Sequence, residues 1–130
     1  MDKSNSIMAK QVARAACDFE QQRTGNVPES VTVVLSEDTL VIMLHGALSP
    51  AEQALAKSPA GAAQVQEFHR QLFLNSCGVL RRDLERITGV DVREATSEVT
   101  TETGTIVQVF LLADSVAAGS WSGSGLVGQG

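Results

Sequence analysis

Aromatic residues are scarce in this sequence, and tyrosine is absent. Aromatics make up 4% of the 130 residues and apolar residues 43%, so we expect an aliphatic core of Val, Leu, Ile, Ala and Met. The length is sufficient for one domain with a hydrophobic core and too short to expect two. The charged fraction of 19% is ordinary for a soluble globular protein.

Basic residues are also few. Ten Lys and Arg stand against fifteen Asp and Glu, which gives a formal net charge of -5. A nucleic-acid partner would require a basic face for its phosphates, and the sequence has no basic tail or arm. We therefore expect no nucleic-acid partner.

Long hydrophobic runs are missing as well. The longest apolar stretch without a charge, residues 39–51, contains His, Gly, Ser and Pro and falls short of the roughly 20 residues of a membrane-spanning helix. The first ten residues have no apolar segment of signal-peptide type. We expect a cytoplasmic protein without direct membrane insertion, although it could reach a membrane by binding a partner there.

The sequence contains only two cysteines, Cys17 and Cys77. They are too far apart to form a metal-binding pair and both fall in helical patterns, so we interpret them as small buried hydrophobic residues, with a redox role as the alternative. No glycine-rich phosphate loop, Cys/His metal spacing or nucleophile elbow is present. These observations predict a protein without a metal or cofactor and without an identifiable catalytic group.

Hydrophobic periodicity divides the chain into seven elements. Gly25 and Gly89 are good stop signals for the first and the last helix. The predicted helices span residues 6–23, 50–57 and 61–88, and the predicted strands span residues 30–36, 40–44, 90–99 and 106–112.

The order of these elements, α-β-β-α-α-β-β, predicts an α+β fold with a four-stranded antiparallel sheet, one long helix and two shorter ones. The second and fourth strands are apolar on both faces, whereas the first and third are more polar. We therefore place the second and fourth strands at the centre, which gives the order 1-2-4-3.

Strands that are apolar on both faces need cover on both sides. If the helices lie on one face only, the other face presents Val41, Met43, Val107, Val109 or Leu111, and an exposed apolar patch of that size usually marks an interface. A homodimer satisfies this requirement. The monomeric alternative is that the first helix packs over the second face.

Residues 115–130 form a Gly/Ser-rich segment that we expect to be a flexible tail beyond a single domain of residues 1–114. Its one large aromatic residue, Trp121, could anchor the tail in a groove of a partner. Packing of Trp121 back onto its own domain is an equal alternative.

Two candidate acid–base residues lie near the second strand. Ser49, Pro50 and Glu52 form a capping box with Pro at the first helical position, so we interpret Glu52 as a helix cap rather than a catalytic acid. His45 ends the second strand and is interpreted as a hydrogen-bonded turn residue. Farther along, His69 and Arg70 are adjacent on the long helix and point about 100° apart, so they do not form one site.

The arginines of the long helix are candidate anion ligands. Arg70 could bind an anion or could pair with Glu67 on the surface. Arg81, Arg82 and Arg86 are interleaved with acidic residues, a pattern that is usually a solvated helix face and less often a phosphate or carboxylate site.

The segment "VTVVLSEDTLVIMLHGALSPAEQAL", the long helix through "GAAQVQEFHR" and the strand "TGTIVQVFLL" together resemble the MpsC-like proteins. This small bacterial family of unknown function is named after a Na+-translocating, membrane-potential-generating system. The resemblance covers residues 7–114, and its most specific part is "GALSPAEQAL" followed by Gly61 and Arg70.

The resemblance implies a soluble accessory or regulatory protein associated with bicarbonate and cation transport, with a membrane transporter or another protein as partner. It brings no catalytic residues, and a family site would lie at Glu52, Gly61 and Arg70. The alternatives are a sensor of a small anion or nucleotide that binds through Arg70 or through Arg81 and its neighbours, and an undetected enzyme that uses Glu52 and His45.

Overall fold

The computed structural model describes residues 3–116, with side chains from residue 7 onward. Helices and strands follow the predicted order. They are α1 (Lys3–Thr24), β1 (Ser30–Ser36), β2 (Thr39–His45), α2 (Pro50–Leu55), α3 (Pro59–Thr88), β3 (Val92–Thr100) and β4 (Thr105–Leu112).

The four strands form one antiparallel sheet in the order β1-β2-β4-β3, as predicted. In the middle of the sheet Val34 pairs with Val41, and Val41 pairs with Val109. A bulge at Val92 and Glu94 interrupts the edge strand β3, where such irregularities are common. The two strands that are apolar on both faces therefore lie at the centre.

The core lies between the sheet and the helices α1 and α3, which pack against each other on one face of the sheet. Phe19 of α1 meets Phe73 of α3 edge to face, with ring centroids 6.1 Å apart. The strands turn alternate side chains toward these helices, as period-two burial requires. The fully buried strand residues include Val33, Leu40, Ile42, Leu44, Ile106, Phe110 and Leu112.

The opposite face of the sheet, which we call the open face, has no helix of residues 3–116 packed on it. Its central side chains are half-buried and do not belong to the core cluster. The alternative in which α1 covers this face is excluded, because α1 contributes to the same core as α3. The apolar residues of the open face are Val34, Val41, Met43, Val107, Val109 and Leu111.

The predicted capping box at the start of α2 is present. The Ser49 side chain accepts a hydrogen bond from the Glu52 amide, and the Ser49 amide donates to the Glu52 carboxylate at 2.9 Å. Ser58 caps α3 in the same way by accepting from the Gly61 amide at 3.0 Å. The two Ser-Pro steps thus begin two separate helices.

The junction between α2 and α3 explains why Gly61 is a glycine. A Cβ atom at this position would lie 1.8 Å from the Leu55 carbonyl oxygen, a distance that real Cβ atoms do not reach. The main chain of α3 therefore passes the end of α2 at backbone contact. Gly61 has a packing role at this crossing.

The periodicity of apolar residues along the long helix places Phe68 in one row with Val65 and Leu72 and predicts that it is buried. This prediction is wrong, because Phe68 is 53% exposed and its neighbour His69 is buried. In the first half of α3 the buried stripe follows an i, i+4 row through Gly61, Val65, His69 and Phe73. His69 can occupy this row because carboxylates from two other helices surround its ring.

Candidate functional site

The most unusual side-chain arrangement in the structure is a buried histidine between two carboxylates. His69 lies on α3, Glu52 on α2 and Glu20 on α1, so each helix contributes one member. His69 and Glu20 retain only 5% and 4% of their exposure. The three residues join all three helices at one point beneath the surface.

Glu52 is the hydrogen-bonded carboxylate of the pair. Its Oε2 lies 2.6 Å from His69 Nε2, and its Oε1 accepts from the Ser49 amide. Burial by itself would raise the pKa of Glu52, but the hydrogen bonds from Ser49 and His69 outweigh burial and lower the pKa below its ordinary value. Glu52 is therefore a carboxylate, which can only accept, so His69 Nε2 carries the shared proton.

Glu20 has a different environment. Its Oε2 lies 3.9 Å from His69 Nδ1, beyond hydrogen-bonding distance, and has no hydrogen-bond partner among the described residues. Burial raises the pKa of the Glu20 carboxyl, and the attraction of His69 offsets this only in part. The two carboxyl groups beside His69 thus have pKa values shifted in opposite directions.

A second orphan acceptor lies close to Glu20. Gln108 is the one polar side chain that β4 turns toward the helices, and its Oε1 has no partner among the described residues. Glu20, His69, Ser97 and Gln108 line a cavity of about 10 Å³. This space admits about one water molecule.

This buried cluster can share and hold a proton, and its members His69 and Glu20 are almost closed off from solvent. Within residues 3–116, no group of three His, Cys, Asp or Glu side chains is arranged to hold a metal ion. The evident effect of the buried cluster is to fix α1, α2 and α3 relative to one another.

A groove of about 490 Å³ opens above Glu52. Arg23 and Thr24 at the end of α1 form one wall, and Leu55 and Phe68 form the apolar wall opposite. Clefts of this size are typical of small-molecule sites. Through Glu52, which lines this groove, the buried cluster comes near the surface.

The structure does not bring the expected site residues Glu52, Gly61 and Arg70 into one contact. Glu52 binds His69, Gly61 packs on the Leu55 carbonyl, and Arg70 lies on the surface, where it is half exposed. Arg70 is 3.7 Å from Glu67 and 3.8 Å from Glu98 of β3. Each residue has its own set of neighbours.

The other arginines of α3 do not converge on a site. Arg81 donates to the Val92 carbonyl at 2.7 Å, and Glu85 accepts from the Val92 amide at 2.8 Å, so these two side chains clasp the start of β3. Arg82 is exposed, and Arg86 pairs with Asp83 at 3.5 Å. Arg81 therefore replaces a strand partner at a bulged sheet edge.

His45 lies 2.9 Å from the Thr32 hydroxyl, which agrees with a hydrogen-bonded residue at the end of β2. Glu52 and His45, the pair proposed for an enzyme, are thus engaged by different partners. Both cysteines are half-buried, and Cys77 packs against the core. Trp121 lies outside the described residues.

Sequence reasoning missed Glu20 and His69. The signal in the sequence was that the polar residues Glu20 and His69 each stand one position from an apolar helical row. A charge buried there needs a partner. Those partners are on other helices. The sequence pattern of a single helix cannot reveal partners that lie on other helices.

The geometry defines a class of protein: a small α+β domain with helices on one face of a four-stranded sheet, an uncovered apolar face, and an acid–histidine cluster where the helices meet. The chain belongs to the family described as Na+-translocating membrane potential-generating system (MpsC), which matches residues 5–114. This confirms the resemblance drawn from the sequence.

One relative is the uncharacterized protein YbcI of Bacillus subtilis (strain 168). It is 25% identical over 112 residues, which cover 86% of this chain and 90% of YbcI. No solved structure matches the chain significantly. Within residues 3–116, no helix has both the length and the apolar character needed to cross a membrane.

Proposed function

We propose that this chain is a non-catalytic, homodimeric accessory protein that supports a Na+-translocating, membrane-potential-generating system through protein contacts. Its family membership supports the connection to that system. The observation that carries the interaction role is the open face, where six apolar side chains lie together with no helix of the described chain over them.

The occupant that fits the open face best is a second copy of the same chain. Four strands of about seven residues give a sheet of roughly 19 Å by 24 Å, and patches beyond a few hundred Å² are uncommon on monomers. The flat area, roughly 460 Å², lies somewhat below the ~600 Å² per partner of the smallest stable interfaces. The open face therefore suits a small, modest dimer interface.

The charges at the two edges are compatible with a two-fold arrangement. The β3 edge carries Glu94 and Glu98, whereas the β1 edge carries Thr32 and Ser36. A two-fold axis parallel to the strands lays β3 of one copy over β1 of the other. The acidic rows then face neutral groups instead of each other.

The chemistry of the acid–histidine cluster supports a non-catalytic role. His69 is buried, and both oxygens of Glu52 already accept hydrogen bonds. A membrane transporter is the expected partner of such an accessory protein. The connection to bicarbonate, which came from the resemblance, stays a prediction.

A complementation experiment tests this proposal. We expect deletion of the gene in its native host to reduce the Na+-dependent membrane potential that a voltage-sensitive dye reports. The wild-type chain should restore it, and so should Leu74→Lys, which adds the same charge at an exposed apolar position of α3. Val109→Lys, at the centre of the open face, should not.

His45→Ala should also restore the potential, because the proposal gives this residue no catalytic role. A deletion without effect on the potential would contradict the connection to Na+ translocation. Full rescue by Val109→Lys would contradict the role of the open face and would leave the family connection standing.

A further inference from the structure

The groove above Glu52 has two features that a helix junction does not need. One is an apolar wall exposed to solvent, and the other is a positive charge that forms no ion pair with residues 7–116. The groove measures about 490 Å³ and lies where α1 ends, α2 runs and α3 begins. Sites for small molecules usually combine such a volume with apolar walls and a few convergent polar groups.

The apolar wall consists of Leu55, Val65 and Phe68. Val65 is buried at the base, but Leu55 is 47% exposed and Phe68 is 53% exposed. Burial of a Leu or Phe side chain stabilises a protein, and much of this stabilisation is not realised at Leu55 and Phe68. An apolar ligand body packed against Phe68 would recover it.

The charge of the groove comes from Arg23. Its guanidinium carbon lies over the Phe19 ring, 5.3 Å from the centroid, and Arg23 forms no ion pair with any residue in the described part of the chain. With no ion pair to hold them, the guanidinium N–H groups can donate to a ligand. These donors match the two oxygens of a carboxylate.

Glu52 also lines the groove, and its negative charge opposes an anion there. Both of its oxygens are held by hydrogen bonds to the Ser49 amide and to His69 Nε2. Arg23 is the cationic group that lines the groove and can donate to an anion. One free guanidinium beside an apolar wall suits a single carboxylate on an apolar body better than a polyphosphate, which would require several basic residues.

We propose that this groove binds a small organic acid, with its carboxylate on Arg23 and its apolar body against Phe68 and Leu55. This site is independent of the open face. It also differs from the anion sites expected at Arg70 and at the Arg81 cluster, whose side chains are exposed or already bonded within the protein.

Binding of phenylacetate to the full-length protein tests the proposal, with amide chemical shifts as the readout. Phenylacetamide keeps the apolar body without the charge, and acetate keeps the charge without the body. We expect phenylacetate to shift residues of the groove and to bind ~tenfold or more tightly than either control, because each control lacks one of the two contacts that the site provides.

Two variants and their matched controls locate the site. Arg23→Gln and Phe68→Ala should each weaken phenylacetate binding ~tenfold. Arg14→Gln, exposed on the same helix, and Leu74→Ala, exposed on the same helix as Phe68, should leave it unchanged. Amide spectra of each variant verify the fold.

The proposal is overturned if phenylacetamide binds as well as phenylacetate, or if Arg23→Gln and Arg14→Gln behave alike. It is also overturned if phenylacetate, hexanoate and indole-3-acetate all fail to shift groove residues at millimolar concentration. Shifts confined to residues outside the groove would likewise contradict it.

Discussion

At the scale of single residues, Glu52 has two structural roles at once. It closes the capping box of α2 and accepts a hydrogen bond from Nε2 of His69 on α3. Many helices begin with a cap of this kind, whereas the hydrogen bond to His69 also connects α2 to α3. Glu52 is therefore central to the position of α2.

We predict that Glu52→Gln lowers the free energy of unfolding by about 1–3 kcal/mol at pH 7, the usual cost of a lost partner at a buried polar group. The pKa of Glu52 is lowered in the folded state, so its contribution is present above the ordinary value of 4.5 and is lost as pH falls through the folded pKa. Urea unfolding at pH 7 and at pH 3.5 measures both effects.

Glu67→Gln is the matched control, because Glu67 is exposed and its two partners, Arg70 and Gln71, are exposed as well. Surface pairs of this kind contribute little. Equal stability of the Glu52 and Glu67 variants at pH 7 would show that the buried bond is not formed.

Glu20 should have the opposite pH dependence. Its pKa is raised by burial, so the folded protein prefers its protonated form, and the associated stability is present at low pH and lost as pH rises through the folded pKa. We predict that Glu20→Gln, a neutral isostere, gains stability relative to wild type between pH 4 and pH 8. Thermal unfolding across this range measures the difference, and a constant difference would contradict the account.

At the scale of elements, the crossing of α2 and α3 depends on the absence of a side chain at Gly61. We predict that Gly61→Ala destabilises the protein by about 1–3 kcal/mol, because the new Cβ would meet the Leu55 carbonyl and force the two helices apart. Chemical unfolding measures this cost.

Gly78→Ala is the matched comparison within the same helix. Gly78 is exposed, and its nearest neighbour to an added Cβ is the Arg82 side chain at 3.8 Å, an ordinary contact. Here alanine should stabilise α3 by about 0.5–1 kcal/mol. If both substitutions changed stability in the same direction, the close approach at Gly61 would not explain its glycine.

The elements and the sheet order could be predicted because they depend on local patterns. Alternation marks the strands, and the apolar character of both faces of β2 and β4 places them at the centre. The buried face of α3 could not be predicted in full. Phe68 belongs to an apolar row of α3 but is exposed, whereas the polar His69 beside it is buried. His69 can be buried because other helices bring carboxylates to its ring.

The candidate site was predictable only in part for the same reason. The cap at Glu52 follows from a spacing of three residues, which the sequence displays directly. The contacts of His69 with Glu20 and Glu52 join residues that are far apart in the chain, and the groove beside them exists only once three helices meet.

At the scale of the whole molecule, helices on one face of the sheet leave the open face as a continuous, half-buried apolar surface of the described chain. A second copy that packs there would give β2 and β4 cover on both sides. This arrangement explains why the central strands are apolar on both faces, which the monomer alone does not.

We predict that Val109→Lys abolishes dimerisation without unfolding the protein, since a charge at the centre of an apolar interface lacks a partner. Leu74→Lys should leave the dimer intact, because Leu74 lies on α3, on the far side of the sheet from the open face. Circular dichroism of both variants verifies the fold.

Light scattering of the purified chain at two concentrations measures the oligomeric state on which the proposal depends. We expect twice the monomer mass of 13.7 kDa for the wild type and for Leu74→Lys, twice its own monomer mass for a chain ending at Val116, and the monomer mass for Val109→Lys. A wild-type chain that is monomeric at both concentrations would contradict the account, as would a dimer that survives Val109→Lys or is lost when residues 117–130 are removed.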